Sequence, residues 1–195
     1  MRTALRRHCL PGLRMGILTF VLCGVAGAAL KAECFKAAGT VIDLSDRFVV
    51  DGASGKTGSA AIAAYSTHYP VARRGKRLDC MILVAPLSIR APLGEIRGRM
   101  TLECLATPVF NVGDGFLMEV LVVSAGMERL AFSRYFDPGR SSEDRDWITL
   151  SIPLDFDSSR NAHLQIRVSA GPQGDLVDDW LALSGVRLKP EGTSK

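Results

Sequence analysis

The sequence predicts an all-β protein built as a two-sheet antiparallel β-sandwich. Residues 114–188 form a series of short apolar segments separated by turn-forming residues such as Asp114-Gly115 and Asp137-Pro138-Gly139. Several segments alternate apolar and polar residues with a period of two, which is typical of strands that bury one face. Turn signals separate closely spaced strands, a pattern that favours a sandwich over alternating βαβ units.

The individual strands follow from these patterns. Residues 96–104, 148–154 and 163–169 each place apolar side chains on one face and polar side chains on the other. Residues 116–123 are apolar at nearly every position, which favours a central strand covered on both faces. A weak helical pattern at 59–65 is too short to change the fold class. Further strands are predicted at 40–50, 80–84, 86–91, 129–136 and 181–188.

The same patterns predict part of the core and one loop. Trp180 is expected in the main core together with Leu150 and Ile166. The segment His68-Tyr69-Pro70 is expected to be a loop.

A leader precedes the predicted domain. Residues 1–28 contain four arginines, the last at Arg14, and no acidic residue, and an apolar run covers 15–30. This layout is typical of a secretory signal peptide cleaved near Ala28 or Ala32, and an uncleaved signal anchor is the alternative. We therefore expect a leader or anchor at 1–32, one β-sandwich domain at 33–188 and a flexible tail at 189–195. The protein would be exported to the periplasm or outside the cell, free or anchored in the membrane by residues 15–30.

The charge distribution bears on the partners. The chain has a formal net charge of +4, and the four leader arginines account for all of it. Without them, basic and acidic residues balance, so the domain lacks the basic excess that neutralises phosphates. We predict no nucleic-acid partner, and membrane contact only through an uncleaved N-terminal segment.

No cofactor or metal site is predicted. The segment at 52–59, GASGKTGS, resembles a phosphate-binding loop, but the first glycine of that motif is replaced by Val50. Cys34, Cys80 and Cys104 follow the leader, and their spacing matches no zinc motif. In an oxidising compartment two of them can form a disulfide, and the sequence leaves all three pairings open.

Candidate ligand-binding residues lie on the predicted strand 163–169. His163, Gln165 and Arg167 alternate on its polar face, about 6–7 Å apart, a spacing comparable to a sugar ring. They offer both donors and acceptors. The alternative is that these side chains are simply solvated, or that His163 is a general base.

Three further candidates lie at the predicted rim of the sandwich. These are Tyr135 before a turn, Trp147 at the start of a strand, and Asp178 in an acidic turn. A tryptophan at such a place either stacks on a sugar or packs at the end of the sandwich.

Four stretches of the chain resemble a known class of module, and RYFDP from Arg134 is one of them. DGFLMEVLV from Asp114, RDWITLSIPL from Arg145, and LQIRVSAGPQGDLVDDWLALSGVRL from Leu164 resemble the jelly-roll, or galactose-binding-like, modules of bacterial envelope proteins. The resemblance covers about residues 94–188. It implies a jelly-roll β-sandwich, and it favours a saccharide as the ligand class.

These observations together favour a non-catalytic, exported binding module that recognises a saccharide of the cell envelope or extracellular milieu. An envelope structural or accessory protein that binds another protein is the alternative. A hydrolase that uses His163 with a nearby acid is a third hypothesis. An exposed apolar patch would favour the second, and a carboxylate within hydrogen-bond reach of His163 would favour the third.

Overall fold

The computed structural model describes residues 40–51, 65–174 and 178–191, with the backbone alone at 65–68 and 157–160. These residues belong to one compact unit, Ala32–Lys195. The predicted leader at 1–32, the glycine-rich segment at 52–59 and Cys34 lie outside the described residues. The predictions made for them therefore remain predictions.

The described residues contain nine strands and a single 3₁₀ turn, Glu143–Arg145. The strands are β1 (Ile42–Asp43), β2 (Val49–Val50), β3 (Tyr65–Arg73), β4 (Lys76–Val84), β5 (Leu87–Pro108), β6 (Phe116–Ser124), β7 (Met127–Phe136), β8 (Ile148–Ala170) and β9 (Trp180–Pro190). Every pairing among them is antiparallel. The predicted all-β, two-sheet antiparallel fold class is confirmed. Within the described ranges no helix is long and apolar enough to cross a membrane.

Strands β5 and β8 are longer than predicted. β5 has 22 residues and joins the predicted strands 86–91 and 96–104, while β8 has 23 residues and joins 148–154 and 163–169. The two strands pair with each other from Leu87 opposite Val168 to Ala106 opposite Ile148. They form the central antiparallel pair of the molecule.

The hydrogen-bonded strand order is β3-β4-β9-β5-β8-β6-β7. The second half of β5 pairs with β9, and the second half of β8 pairs with β6. The first sheet is therefore β3, β4, β9 with β1 paired to it, residues 99–108 of β5 and residues 148–156 of β8. The second sheet is β2, residues 87–92 of β5, residues 162–170 of β8, β6 and β7.

The passage between the two sheets occurs where the β5–β8 register breaks. The breaks fall between Pro92 and Gly98 on β5. Gly94 and Gly98 have φ angles of 65° and 86° there, in the region that favours glycine. Such irregularities bend a strand and increase its twist, so one strand can serve both layers.

The main core lies between the two sheets. Leu102, Leu150 and Leu183 of the first sheet and Met118 and Ile166 of the second all belong to one buried cluster. The alternation predicted for 96–104, 148–154 and 163–169 places Leu102, Leu150 and Ile166 inward as expected, because successive residues of a strand point to opposite faces.

Two local expectations are wrong. Trp180 was expected in the main core, but it is half-buried in a separate cluster on the outer face of the first sheet. The His-Tyr-Pro segment was expected to be a loop, but it lies within β3. β3 is the edge strand of the first sheet and pairs only with β4. Proline is tolerated in such an edge strand because no strand on its other side needs a backbone N–H from Pro70.

Candidate functional site

The outer face of the first sheet carries a groove of about 500 Å³. This volume falls in the range of small-molecule sites, roughly 300–1,000 Å³. Its lining includes the apolar side chains of Leu78 and Leu105, the hydroxyls of Thr149, Ser151 and Ser184, and the charged side chains of Glu103 and Arg187. The groove thus combines an apolar floor with neutral and charged polar groups.

The strand order brings these residues together. Leu105 lies opposite Thr149 on β8 and opposite Ser184 on β9, and Glu103 lies opposite Ser151 and Arg187. Residues paired in this way share one face of a sheet. Four strands, β4, β9, β5 and β8, therefore contribute side chains to one surface.

A bulge in β9 completes the groove. The register shifts between Glu103 opposite Arg187 and Leu105 opposite Ser184, so β9 contains an extra residue there. Gly185 in this bulge has a φ of 63°, and nothing lies within 4 Å of where a Cβ would stand. Because of the extra residue, Ser184 and Arg187 both face outward while Val186 is buried in the core.

Two of the groove hydroxyls are unused by the protein. Thr149 and Ser151 are exposed, and their side chains make no hydrogen bond with any residue in the described part of the chain. The Ser184 hydroxyl donates to the carbonyl of Asp79 at 3.0 Å, which leaves its oxygen able to accept. The groove therefore presents donors and acceptors that a ligand can satisfy.

Glu103 is held between two cations at one end of the groove. Arg187 donates to its Oε2 from Nε at 3.0 Å and contacts it through Nη2 at 2.9 Å, and Lys189 Nζ lies 2.7 Å from the same oxygen. The hydrogen bond from Lys189, reinforced by Arg187, lowers the pKa of Glu103 below its ordinary value. Glu103 is therefore a fixed negative charge at neutral pH.

An aromatic cover occupies the other part of this face. Trp180 and Phe110 meet edge to face with ring centroids 5.3 Å apart, and Trp147 packs with Trp180 over a buried cluster that includes Ile82 and Ala182. The indole nitrogen of Trp147 donates to the carbonyl of Lys76 at 3.3 Å. Trp147 thus packs against the sheet and anchors the start of β8 to the β3–β4 turn.

The predicted residues His163, Gln165 and Arg167 share the outer face of the second sheet, which we call the polar face. Gln165 is only 3% exposed, and its side-chain nitrogen donates to Asp51 Oδ2 at 2.6 Å and to Ser88 Oγ at 2.8 Å. Gln165 was expected to face solvent. Its burial follows because Asp51, beyond β2, folds over β5 and reaches it.

Arg167 is also engaged by its neighbours. Its guanidinium forms an ion pair with Glu128 of β7 at 2.6 Å and donates to Gln165 Oε1 at 3.2 Å. β6 lies between β8 and β7, so this ion pair crosses β6. Leu121 of β6 belongs to the outer face but is only 5% exposed. It is buried because the side chains of Arg167 and Glu128 cross over it.

His163 is half-buried beside this network. Burial, together with nearby Arg90, lowers the pKa of His163, while Asp51 and Glu128 act in the opposite direction. His163 forms no hydrogen bond or ion pair with a carboxylate of the described residues. Among the residues whose side chains are described, His163 therefore has no carboxylate partner of the kind that the hydrolase hypothesis requires.

The three predicted rim residues do not lie beside the polar face, so they do not form one site with it. Tyr135 lies opposite Leu117 of β6, and Leu117 lies opposite Ser169 of β8. Ser169 is six residues from His163, so Tyr135 is displaced from His163 by roughly 20 Å along the strands. Its hydroxyl donates to the carbonyl of Asp114. Trp147 belongs to the other sheet, and Asp178 lies in the turn before β9 with a φ of 65°.

Cys80 and Cys104 are free thiols, and both are buried. Burial raises the pKa of Cys80 to about 11 and that of Cys104 to about 12. A disulfide between these two is absent, and the pairings that involve Cys34 lie outside the described residues.

Exposed large apolar side chains are dispersed over several elements. They are Val41, Tyr69, Val112, Met127, Leu130 and Tyr135. Among the residues that the structure describes, no group of three or more His, Cys, Asp or Glu is arranged to hold a metal ion.

Sequence comparison identifies one relative that covers part of the chain. No protein-family model matches the chain. An uncharacterised protein of Archaeoglobus fulgidus is 35% identical over 68 residues, which are 35% of this chain and 17% of that protein. The chain therefore spans less than a fifth of the length of that relative.

Among solved structures, the matches include carbohydrate-binding modules. A CBM51 module from Clostridium perfringens, solved with methyl-galactose, is 13% identical with a TM-score of 0.48, covering 77% of this chain and all of that one. The CBM22-1 xylan-binding domain of Paenibacillus barcinonensis Xyn10C is 8% identical with a TM-score of 0.46, covering 77% and 92%. The C-terminal CBM6 of a laminarinase from Zobellia galactanivorans is 12% identical with a TM-score of 0.44, covering 77% and 98%.

Proposed function

We propose that this protein is a non-catalytic binding module that holds a saccharide in the groove on the outer face of its first sheet. The observation that carries the proposal is the composition of the groove. Thr149 and Ser151 offer unused hydroxyls above an apolar floor formed by Leu78 and Leu105. A sugar presents the matching surfaces, because its hydroxyls bond to polar groups while its C–H faces bury against apolar side chains.

The groove supports binding better than the polar face does. On the polar face, Gln165 and Arg167 are already bonded to Asp51, Ser88 and Glu128. A ligand there would have to break these contacts and leave buried polar groups without partners, which costs free energy. In the groove, a ligand can bond to hydroxyls without displacing any contact of the described residues.

The charges in the groove support a binding role without catalysis. Glycoside hydrolysis generally needs two carboxyl groups that flank the scissile bond. Among the described residues that line the groove, Glu103 is the only acid, and Arg187 and Lys189 hold it as a charged acceptor. A carboxylate held in this way is poorly suited to donate a proton.

Export is part of the same proposal, and the sequence of the leader supports it. The basic start and apolar run at 15–30 are the features that direct a chain to the secretory route. Mass spectrometry of the cell-envelope fraction tests this. A product beginning near residue 29 or 33 is expected, whereas a full-length species that resists alkaline washing would favour the anchor.

A glycan array with matched variants tests the proposed site. We expect the double substitution Thr149→Val, Ser151→Ala to abolish most of the array signal, because both hydroxyls face the groove. Ser133→Ala is the control, since Ser133 is an exposed hydroxyl on β7 of the other sheet. Each variant should unfold at the same urea concentration as the parent.

The array also distinguishes the competing sites. A signal that survives in the groove variant and disappears in His163→Ala would move the site to the polar face. No signal from any glycan would refute the saccharide proposal and favour the protein-binding alternative.

A further inference from the structure

The charges around the groove do not cancel. Glu103 is flanked by Arg187 and Lys189, so this group of three carries one positive charge. Asp43 of β1 lies opposite Arg187 on β9, and Arg47 lies close to Asp43. With this second pair included, the end of the groove still has an excess of one positive charge.

The nearest charges farther along the sheet form a neutral pair. Arg99 of β5 and Glu191 lie 4.0 Å apart, beyond the position where Thr101 pairs with Lys189. They neither add to nor remove the excess.

On β4, Arg77 and Asp79 flank the lining residue Leu78, and their opposite charges balance. The positive charge at the groove therefore belongs to Arg187 and Lys189.

Arg187 is available to a ligand. Its side chain is 51% exposed and lines the groove, and the contacts to Glu103 use Nε and Nη2. A guanidinium has five N–H donors in a planar fork, so donors remain after these contacts. Such a fork matches a planar carboxylate with two parallel hydrogen bonds.

The neutral groups define where the rest of the ligand lies. Ser184 and Gly185 precede Arg187 by three and two residues along β9, and Ser151 lies opposite Glu103 across the sheet. The bulge at Gly185 leaves open space beside Arg187. A sugar ring whose hydroxyls reach Ser151 and Ser184 can therefore direct a ring substituent toward Arg187.

We propose that the groove selects a saccharide that carries a carboxylate, a uronic acid, whose charge Arg187 and Lys189 balance. This inference rests on the proposed saccharide function and deepens it by naming the class of sugar. Glu103 keeps the two cations in place and prevents an uncompensated double charge in the empty groove.

The test compares one sugar chain with and without its charge. The full-length protein is titrated calorimetrically with oligogalacturonate and with the same oligomer after methyl esterification. We expect the acid to bind at least about tenfold more tightly, as for one charge-assisted hydrogen-bonded pair. The preference should weaken as salt is added, because exposed charges are screened.

Two variants locate the preference. Arg187→Gln should reduce the affinity for the acid by about tenfold and leave the affinity for the ester nearly unchanged. Arg97→Gln is the matched control, since Arg97 is also an exposed arginine paired with a carboxylate, Glu95, but lies outside the groove. Lys189→Gln provides a second groove variant should Arg187→Gln fail to fold.

The outcomes separate the two proposals. Equal binding of acid and ester would overturn the uronic-acid inference and leave the saccharide function standing. Binding of neither oligomer, with no glycan bound on the array, would refute the saccharide function itself. Tighter binding of a sulfated galactose oligomer than of the uronate would overturn the carboxylate assignment in favour of a sulfate ester.

Discussion

Gln165 shows how one buried polar side chain fixes the arrangement of neighbouring strands. It bonds to Asp51 and Ser88, and its oxygen accepts from Arg167. Asp51 in turn lies 3.5 Å from Arg90. The second sheet therefore has an outer face whose polar groups satisfy one another, as buried polar groups generally require.

Replacing Gln165 by Ala should destabilise the protein by about 1–3 kcal/mol, because Asp51 and Ser88 each lose a partner in a partly buried place. Ser133→Ala, at an exposed hydroxyl of the same sheet, should stay within about 0.5 kcal/mol. Urea unfolding measures both. Equal effects of the two substitutions would show that Gln165 is solvated after all.

His163 should make the stability depend on pH. Its folded-state pKa is lowered from 6.5 by burial and by Arg90, so the folded protein binds a proton less readily than the unfolded chain. Its contribution is fully present above pH 6.5 and is lost as the pH falls from 6.5 through the folded pKa. His163→Gln should unfold with a flatter pH dependence in urea titrations between about pH 8 and pH 5. Parallel curves for the two proteins would contradict this assignment.

Among the elements, β5 and β8 determine the architecture because each serves both sheets. Their change of layer depends on the register breaks near Gly94 and Gly98. Gly98 has a φ of 86°, and open space surrounds the position where its Cβ would stand. A side chain added at Gly98 therefore lowers the free energy of unfolding only through the strained backbone conformation, and not through a steric clash.

Gly98→Ala should therefore cost about 1–2 kcal/mol, the penalty of a left-handed conformation for an ordinary residue. Gly98→Asn should cost less, because asparagine enters this region more readily. Differential unfolding in urea compares the two with the parent. A larger loss for Asn than for Ala would indicate a steric rather than a conformational cause.

The sequence predicts the faces of the strands better than their ends. Thr149 and Ser151 point outward and Leu150 inward as the alternation requires. The continuity of β5 through Gly94 and Gly98 was not predictable, since glycine and proline there also suit a loop. Gly185 was the available signal for the groove, because a glycine inside a strand often marks a bulge, but its effect on Arg187 needs the pairing with β5.

Burial on the polar face depends on contacts between distant parts of the chain. Asp51 and Gln165 are 114 residues apart, and no local pattern predicts their hydrogen bond. The groove likewise needs β9 inserted between β4 and β5. Local alternation identifies which side chains share a face, whereas the order of the strands decides which faces become a site.

At the scale of the whole molecule, the main core joins both sheets. Inward side chains of β4, β5, β6, β8 and β9 belong to one cluster. Two strands also run through both layers. Neither sheet can lose its packing without exposing the core surface of the other, so unfolding should be a single cooperative transition.

Substitution of Met118, in the second sheet, tests this coupling. Met118→Ala should cost about 2–5 kcal/mol, as expected for a fully buried side chain. Trp147 and Trp180 both lie on the first sheet, so their fluorescence reports the other layer. The fluorescence and circular dichroism transitions of the variant should shift together in urea. Separate midpoints would show that the sheets unfold independently.

The pairing of β1 with β9 has a consequence for how the domain connects to other chains. Ile42 lies opposite Leu188, so the strand nearest the start of the described domain runs beside the strand nearest its end. The first and last strands of the described domain therefore lie side by side, and β6 and β7 meet at a tight turn elsewhere, at Ala125-Gly126. This arrangement suits circular permutation, with the old termini joined and new ones opened at that turn. It also lets the domain be inserted into a loop of a host protein without separating the two ends of the loop.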